Sequence, residues 1–159
     1  MNLNDTLRIS TLSDREVMMS RTFAAPRALV FKACTDPELV PQWMLGPDGW
    51  TMPVCEIDLR PGGTWRFVWR KQDGKEMSMH GTYIEVNPPD RVVTTENWGG
   101  DWPETTNTLS FIEKDGETIY SINILYSSKE ARDAAMKTGM KEGAGQSFDR
   151  LEALLASLR

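Results

Sequence analysis

Apolar and polar residues alternate over 16–23, which places Val17, Met19, Arg21 and Phe23 on one face, the period-two pattern of a half-buried strand. Arg21 on that apolar side requires a partner. Ala24-Ala25-Pro26 then turns the chain, and over 27–34 the spacing of Leu29, Val30 and Ala33 makes one helical face. Asp36-Pro37-Glu38 has the chemistry of a second helix start, with a capping carboxylate, a proline whose missing N–H costs nothing there and an acid near the positive end of the dipole. Pro41 keeps that piece short. Two short helices ending near Trp43, and a turn at Gly46-Pro47-Asp48-Gly49, are therefore expected.

Further on, strand-like runs at 50–58, 64–71, 76–87, 91–98, 106–114 and 117–126 are separated by turn chemistry: Pro61-Gly62-Gly63, Asp73-Gly74, Pro88-Pro89-Asp90, the longer segment from Gly99 to Pro103, and Asp115-Gly116. Short returns between sequential strands imply antiparallel neighbours, because parallel ones need long crossovers. Ser127 with Glu130 reads as a capping box that opens a helix near Ser128, ended or bent at Gly139. From Met140 onward, Ala144, Ser147, Phe148, Leu151, Leu154, Leu155 and Leu158 recur at spacings of three and four, a broad apolar stripe for a long C-terminal helix lying across the sheet. Residues 1–13 lack a period and are expected as a loose tail, with Leu3, Leu7 and Leu12 able to dock. The Asn4-Asp5-Thr6 sequon is expected to be a chance match. The reading is one α+β domain over 14–159: seven antiparallel strands, two short helices after the first strand, and a long helix at the end.

Composition narrows what this domain can do. Eighteen Lys and Arg against 23 Asp and Glu give a net charge of −5, which argues against a nucleic-acid partner. No apolar run approaches the ~18 residues of a membrane span and the start has no signal-peptide pattern, so a cytoplasmic chain without membrane insertion is expected. Cys34 and Cys55 lack the paired spacing of a zinc site, and with His80 the only histidine neither a metal nor another cofactor is expected. His80 falls by alternation on the face opposite Met77, Met79 and Tyr83, towards solvent. Six Trp and nine Met in 159 residues supply rigid aromatic area and adaptable thioethers, which suit both a core and an internal binding surface.

Two features favour a binding surface. Trp65, Phe67 and Trp69 share one strand face, Met77, Met79 and Tyr83 another, and Tyr120, Ile122, Ile124 and Tyr126 a third, more bulk than one helix covers evenly. Opposite them, Gly143 and Gly145 withhold volume from the first turns of the long helix, where each glycine costs roughly 1 kcal/mol relative to alanine. A cavity between the sheet and the N-terminal half of that helix accounts for both, and a close backbone approach or a kink is the alternative reading of the glycines. The expected apolar lining is Trp65, Phe67, Trp69, Met79, Tyr83, Trp98, Tyr120 and Met140, with Trp43 and Trp102 at the rim and Asn107 and Gln146 orienting a polar group. Glu96, on the same face as Val92, Thr94 and Trp98, either pairs, with Arg21 as one candidate, or has a raised pKa.

The segments Arg21-Thr22-Phe23-Ala24-Ala25-Pro26, Val30-Phe31, Thr35-Asp36-Pro37-Glu38, Gln42-Trp43, Gly46-Pro47, Asp58-Leu59-Arg60-Pro61-Gly62-Gly63 and Thr138-Gly139-Met140, in that order and spacing, resemble bacterial relatives of the activator of the heat-shock-protein-90 ATPase, within the START-like (SRPBCC) superfamily. The resemblance runs from about Glu16 to the end of the chain. It implies a helix-grip fold, a seven-stranded curved antiparallel sheet around the C-terminal helix, with a hydrophobic cavity between them. Pro41 and Met44-Leu45 depart from the pattern of such relatives at the expected cavity mouth. The leading expectation is a binder of a small hydrophobic or aromatic molecule. The alternatives are a cyclase- or hydrolase-type enzyme in the same cavity, with Glu96 and Tyr83 as acid–base candidates, and a protein-interaction module. Relatives of this kind often pair, which keeps a homodimer open. The eukaryotic activator has a separate N-terminal chaperone-engaging domain where this chain has a short tail, so a full chaperone-activating role is not expected.

Overall fold

The computed structural model describes residues 7–158. Eight strands form one antiparallel sheet: β1 (Arg8–Ser13), β2 (Glu16–Phe23), β3 (Trp50–Ile57), β4 (Thr64–Lys71), β5 (Glu76–Asn87), β6 (Arg91–Glu96), β7 (Thr105–Lys114) and β8 (Glu117–Leu125). Their spatial order is β1-β2-β8-β7-β6-β5-β4-β3, so every consecutive pair is adjacent except β2 and β3. Between those two lie helix α1 (Arg27–Thr35) and a single 3-10 turn (Val40–Gln42), and α2 (Lys129–Met136) and α3 (Met140–Leu158) follow the sheet.

The eighth strand corrects the expected count of seven, because residues 8–13, assigned to the tail, pair with β2 across a two-residue turn. Only Ile9 in β1 is even partly buried, where it packs with Leu7 beside Val17, Met19, Ile124 and Tyr126. An edge strand with one apolar anchor has too little alternation to announce itself. Leu3 and the Asn4-Asp5-Thr6 sequon lie outside the described residues.

Asp36 closes α1, and its carboxylate accepts from the backbone N–H of Glu38 at 2.8 Å. The second short helix is reduced to the 3-10 turn, with Pro41 inside it. The cap of α2 is Ser128, whose hydroxyl accepts from the N–H of Ala131, one residue later than the expected capping box. Gly139 then takes a positive φ of 79° between α2 and α3, a conformation open to glycine at no steric cost.

The main core lies on the concave face of the sheet. Phe148 of α3 meets Phe23, Trp43 and Tyr120, and Tyr120 in turn stacks on Phe111, with ring centroids 5.0 to 6.1 Å apart. Leu151 and Leu155 complete the buried stripe of α3. Arg21, on the same inner face, donates to Asp149 at 3.2 Å and to Glu152 at 2.8 Å, and its guanidinium lies over the Phe23 ring. The partner of Arg21 is thus the long helix and not Glu96. Sequence spacing could not show this, because it depends on how α3 crosses the sheet.

Candidate functional site

The space between sheet and helix is filled by aromatic rings beneath the middle of α3, and the surroundings of its first turns are built differently. There the first turns of α3 carry Gly143 and Gly145. A Cβ on Gly143 would stand 3.6 Å from the ring of Pro47, whereas one on Gly145 would meet open space. Neither glycine is therefore demanded by a close approach, since the Gly143 contact would be an ordinary one, but the helix does rest on the 46–48 turn, where the Gly46 N–H donates to Ser147 at 2.8 Å and Arg150 donates to the Gly46 carbonyl at 2.7 Å and to Asp48 at 2.9 Å.

From this turn, a linked set of side chains crosses β4, β6 and β7, and a separate contact joins β8 to the start of α3. The Trp69 indole N–H on β4 donates to the Met44 carbonyl at 2.8 Å, and its ring stacks on Trp98 with centroids 5.7 Å apart and planes 13° from parallel. Trp98 donates its indole N–H to Glu96 Oε1 at 2.8 Å. The other oxygen, Oε2, accepts from Asn107 Nδ2 at 2.6 Å, while Asn107 Oδ1 accepts from the Thr105 hydroxyl at 2.8 Å. The hydroxyl of Tyr126 stands 4.0 Å from Met140 Sδ at the start of α3. The local causes are plain: Thr105 and Asn107 share one face of β7, Glu96 ends β6 opposite Thr105, and the chain leaves the strand at that point so that Trp98 can fold back.

The electrostatics are one-sided. Burial pushes the Glu96 carboxyl above its ordinary value, and the hydrogen bonds from Trp98 and Asn107 pull it back only in part. Burial raises the phenol of Tyr126 to about 12, with a smaller contribution from the charge of Glu96. Tyr120 is raised as well, chiefly by burial. Every group that touches the carboxylate is neutral, in contrast with the two carboxylates that Arg21 receives.

The expected site residues separate into three groups. Trp69, Trp98, Glu96 and Asn107 come together by stacking and hydrogen bonds, whereas Met140 meets Tyr126 in the second hydrophobic cluster. Trp65, Phe67, Met79, Tyr83, Tyr120 and Trp43 are buried core, with the Trp65 indole satisfied by Thr94 at 2.7 Å and the Trp43 indole by the Ala33 carbonyl at 2.9 Å. Gln146 is corrected: it is exposed, because the turn of α3 that directs Ser147 and Phe148 inward carries it to the outside. Met77 and Trp102 are exposed too, as is His80, which faces solvent opposite Arg66 as expected. Tyr83 makes no hydrogen bond to Glu96; burial raises its phenol, with smaller contributions from Cys55 and Asp58. Among the residues that the lining assignment omitted are Thr105, which orients the Asn107 amide, and Tyr126, whose place on the Tyr120 face was the available signal. Two depressions, of about 330 and 260 Å³, lie elsewhere, on β3–β4 beside Glu56 and Arg66 and at the β4–β5 hairpin. Among the described residues no cluster of three potential metal ligands occurs, and no helix is long and apolar enough to cross a membrane.

Residues 24–156 match the family model described as activator of Hsp90 ATPase homolog 1-like protein. A crystal structure of a Rhodobacter sphaeroides protein is similar at 29% identity and a TM-score of 0.90, covering 97% of this chain and 100% of its own. A Mycobacterium smegmatis protein follows at 26% identity and 0.83, with 94% and 97% covered. An Aeromonas hydrophila AHSA1-like protein, at 19% identity, 0.72, and 89% and 95% covered, shares the fold. No curated protein matches the sequence.

Proposed function

The chain belongs to the activator of Hsp90 ATPase homolog 1-like family, with its helix-grip fold, and from that premise we propose that it binds a small hydrophobic or aromatic molecule at the open end of the groove, between the sheet and the first turns of α3. The observation that carries the reading is the linked set Asn107, Glu96, Trp98, Trp69 and the Met44 carbonyl, with Tyr126, which senses the charge of Glu96, and its contact Met140 beside it: apolar and aromatic groups around a few oriented polar atoms, the usual composition of a small-molecule site. Trp98 is 41% exposed, so its ring is available to a ligand from solvent. The long aromatic core beneath Phe148 is the rigid wall against which such a molecule would rest.

Native mass spectrometry of freshly purified protein, followed by solvent extraction, tests the reading. A stoichiometric small apolar molecule that is lost or reduced in Trp98→Ala is expected. Protein that is empty and leaves Trp fluorescence unchanged across a panel of aromatic and aliphatic compounds would refute it.

An enzymatic reading has one supporting observation, the raised pKa of the Glu96 carboxyl inside an aromatic surround. Its acid–base partner would be Tyr126 and not Tyr83. Turnover abolished in Glu96→Gln with ligand retained would favour it over binding alone.

A further inference from the structure

Of the charged side chains on the concave face, Arg21 and Glu96 stand in opposite situations. Arg21 is buried against two carboxylates from α3. Glu96, at the far end of the same face, has its two oxygens occupied by one neutral N–H each, and among the described residues no Lys, Arg or His reaches it within salt-bridge distance. A carboxylate oxygen accepts more than one hydrogen bond, so each keeps acceptor capacity.

The donors around Glu96 are arranged for its anionic form. The Thr105 hydroxyl donates to Asn107 Oδ1, which fixes the amide so that its NH2 and not its oxygen meets Glu96. Trp98 can only donate. A chain of donors directed at one carboxylate favours the negative charge that burial opposes. Beside it lies the Trp98 ring, backed by the buried Trp69 and exposed to solvent, and an exposed indole face attracts cations.

We infer that the open end of the groove takes a ligand carrying a protonated amine on an apolar body, with Glu96 as the counter-charge and the Trp69–Trp98 stack as the aromatic wall. The inference rests on the binding reading above and adds the chemical class of the ligand. The amine N–H groups take up the remaining acceptor capacity of Oε1 and Oε2, and the apolar body lies towards Met140 and Tyr126.

The test uses three probes of matched shape, naphthylethylamine, naphthylethanol and naphthylacetate, titrated into the full chain and followed by calorimetry and Trp fluorescence. The amine is expected to bind on the order of tenfold or more tightly than the alcohol, as a charge-assisted hydrogen bond provides, and the acid most weakly. In Glu96→Gln the preference for amine over alcohol should disappear while the alcohol binds as before. Equal binding of amine and alcohol, a preference for the acid, or an amine preference that survives Glu96→Gln would overturn the amine assignment and leave ligand binding standing. Failure of all three probes to bind would overturn the amine assignment, and together with empty protein and no response to the wider panel it would overturn the binding reading too. Should Glu96→Gln not fold, the wild-type chain decides the matter. Acidification that protonates Glu96 must weaken the amine and leave the alcohol unchanged, because Tyr120 and Tyr126, the titratable groups facing it from the β8 side, stay neutral throughout and the other partners, Trp69, Trp98, Asn107 and Thr105, do not titrate. An amine affinity indifferent to that change would count against the assignment.

Discussion

Gly81 on β5 leaves no room for a side chain. A Cβ there would run into the Thr95 carbonyl and stand 2.7 Å from the Trp65 indole, both of which belong to packed elements. Gly81→Ala should therefore destabilise the fold by about 1–3 kcal/mol, the usual cost of overpacking, seen as a lower urea midpoint with an unchanged slope. Glu96 gives the second prediction at this scale. Its carboxyl titrates above the ordinary 4.5 in the folded chain, so between that value and the raised one the folded state binds more protons than the unfolded state. Stability attributable to this group is then present at acid pH and is lost as pH rises through the window. Melting temperatures of the wild type and Glu96→Gln, compared from about pH 4 to 8, should show a less favourable pH slope for the wild type across that interval; parallel curves would contradict the assignment. Neither residue's environment could be read from its neighbours in sequence. The alternation placed both on β-strands and Trp98 on the same side as Glu96, but the approach of Trp65 to Gly81 and of Asn107 to Glu96 comes from other strands.

Between elements, the join of β2 to α3 is an asymmetric ion cluster. The Arg21 side chain is 6% exposed, whereas those of Glu152 and Asp149 are 35% and 79% exposed. Removing the carboxylates strands a buried guanidinium, while removing the guanidinium returns two carboxylates to water. Asp149→Ala with Glu152→Ala should cost about 2–3 kcal/mol, below the range for fully enclosed pairs because of that exposure, and Arg21→Met about 1 kcal/mol or less. Chemical denaturation of the two variants ranks them, and the reverse order would mean that the side-chain packing of Arg21 over Phe23 outweighs its charge. The helices show how local signals and context divide the outcome. Gly139 separated α2 from α3 as its chemistry suggests, but Asp36-Pro37-Glu38 ended α1 and led only to a 3-10 turn, because Pro41 lies where a further turn would need its N–H.

In the whole molecule, stability and the candidate site are carried by opposite halves of one groove. The aromatic cluster around Phe148 holds the sheet to α3, and the open end depends on a half-exposed tryptophan and a polar chain. Trp98→Ala should consequently weaken ligand binding by about tenfold while lowering the melting temperature by only a few degrees, since a surface ring contributes little to folding free energy. A large drop in melting temperature would instead make the Trp69–Trp98 stack part of the core. What the sequence determined by itself was the architecture: period-two runs with turn residues between them specify an antiparallel meander, and a three-and-four stripe after Gly139 specifies the helix laid across it, because both signals are local and repeat over many residues. It also determined which faces are apolar, and so brought Trp69, Trp98, Asn107 and Glu96 into one set. Tertiary structure alone decided that Gln146 faces outward, that Arg21 turns to Asp149 and Glu152, that residues 8–13 add an eighth strand, and that the first turns of α3 lie on the 46–48 turn. Each of these depends on the rotation of a helix or the pairing of an edge, which long-range packing sets and no local pattern encodes.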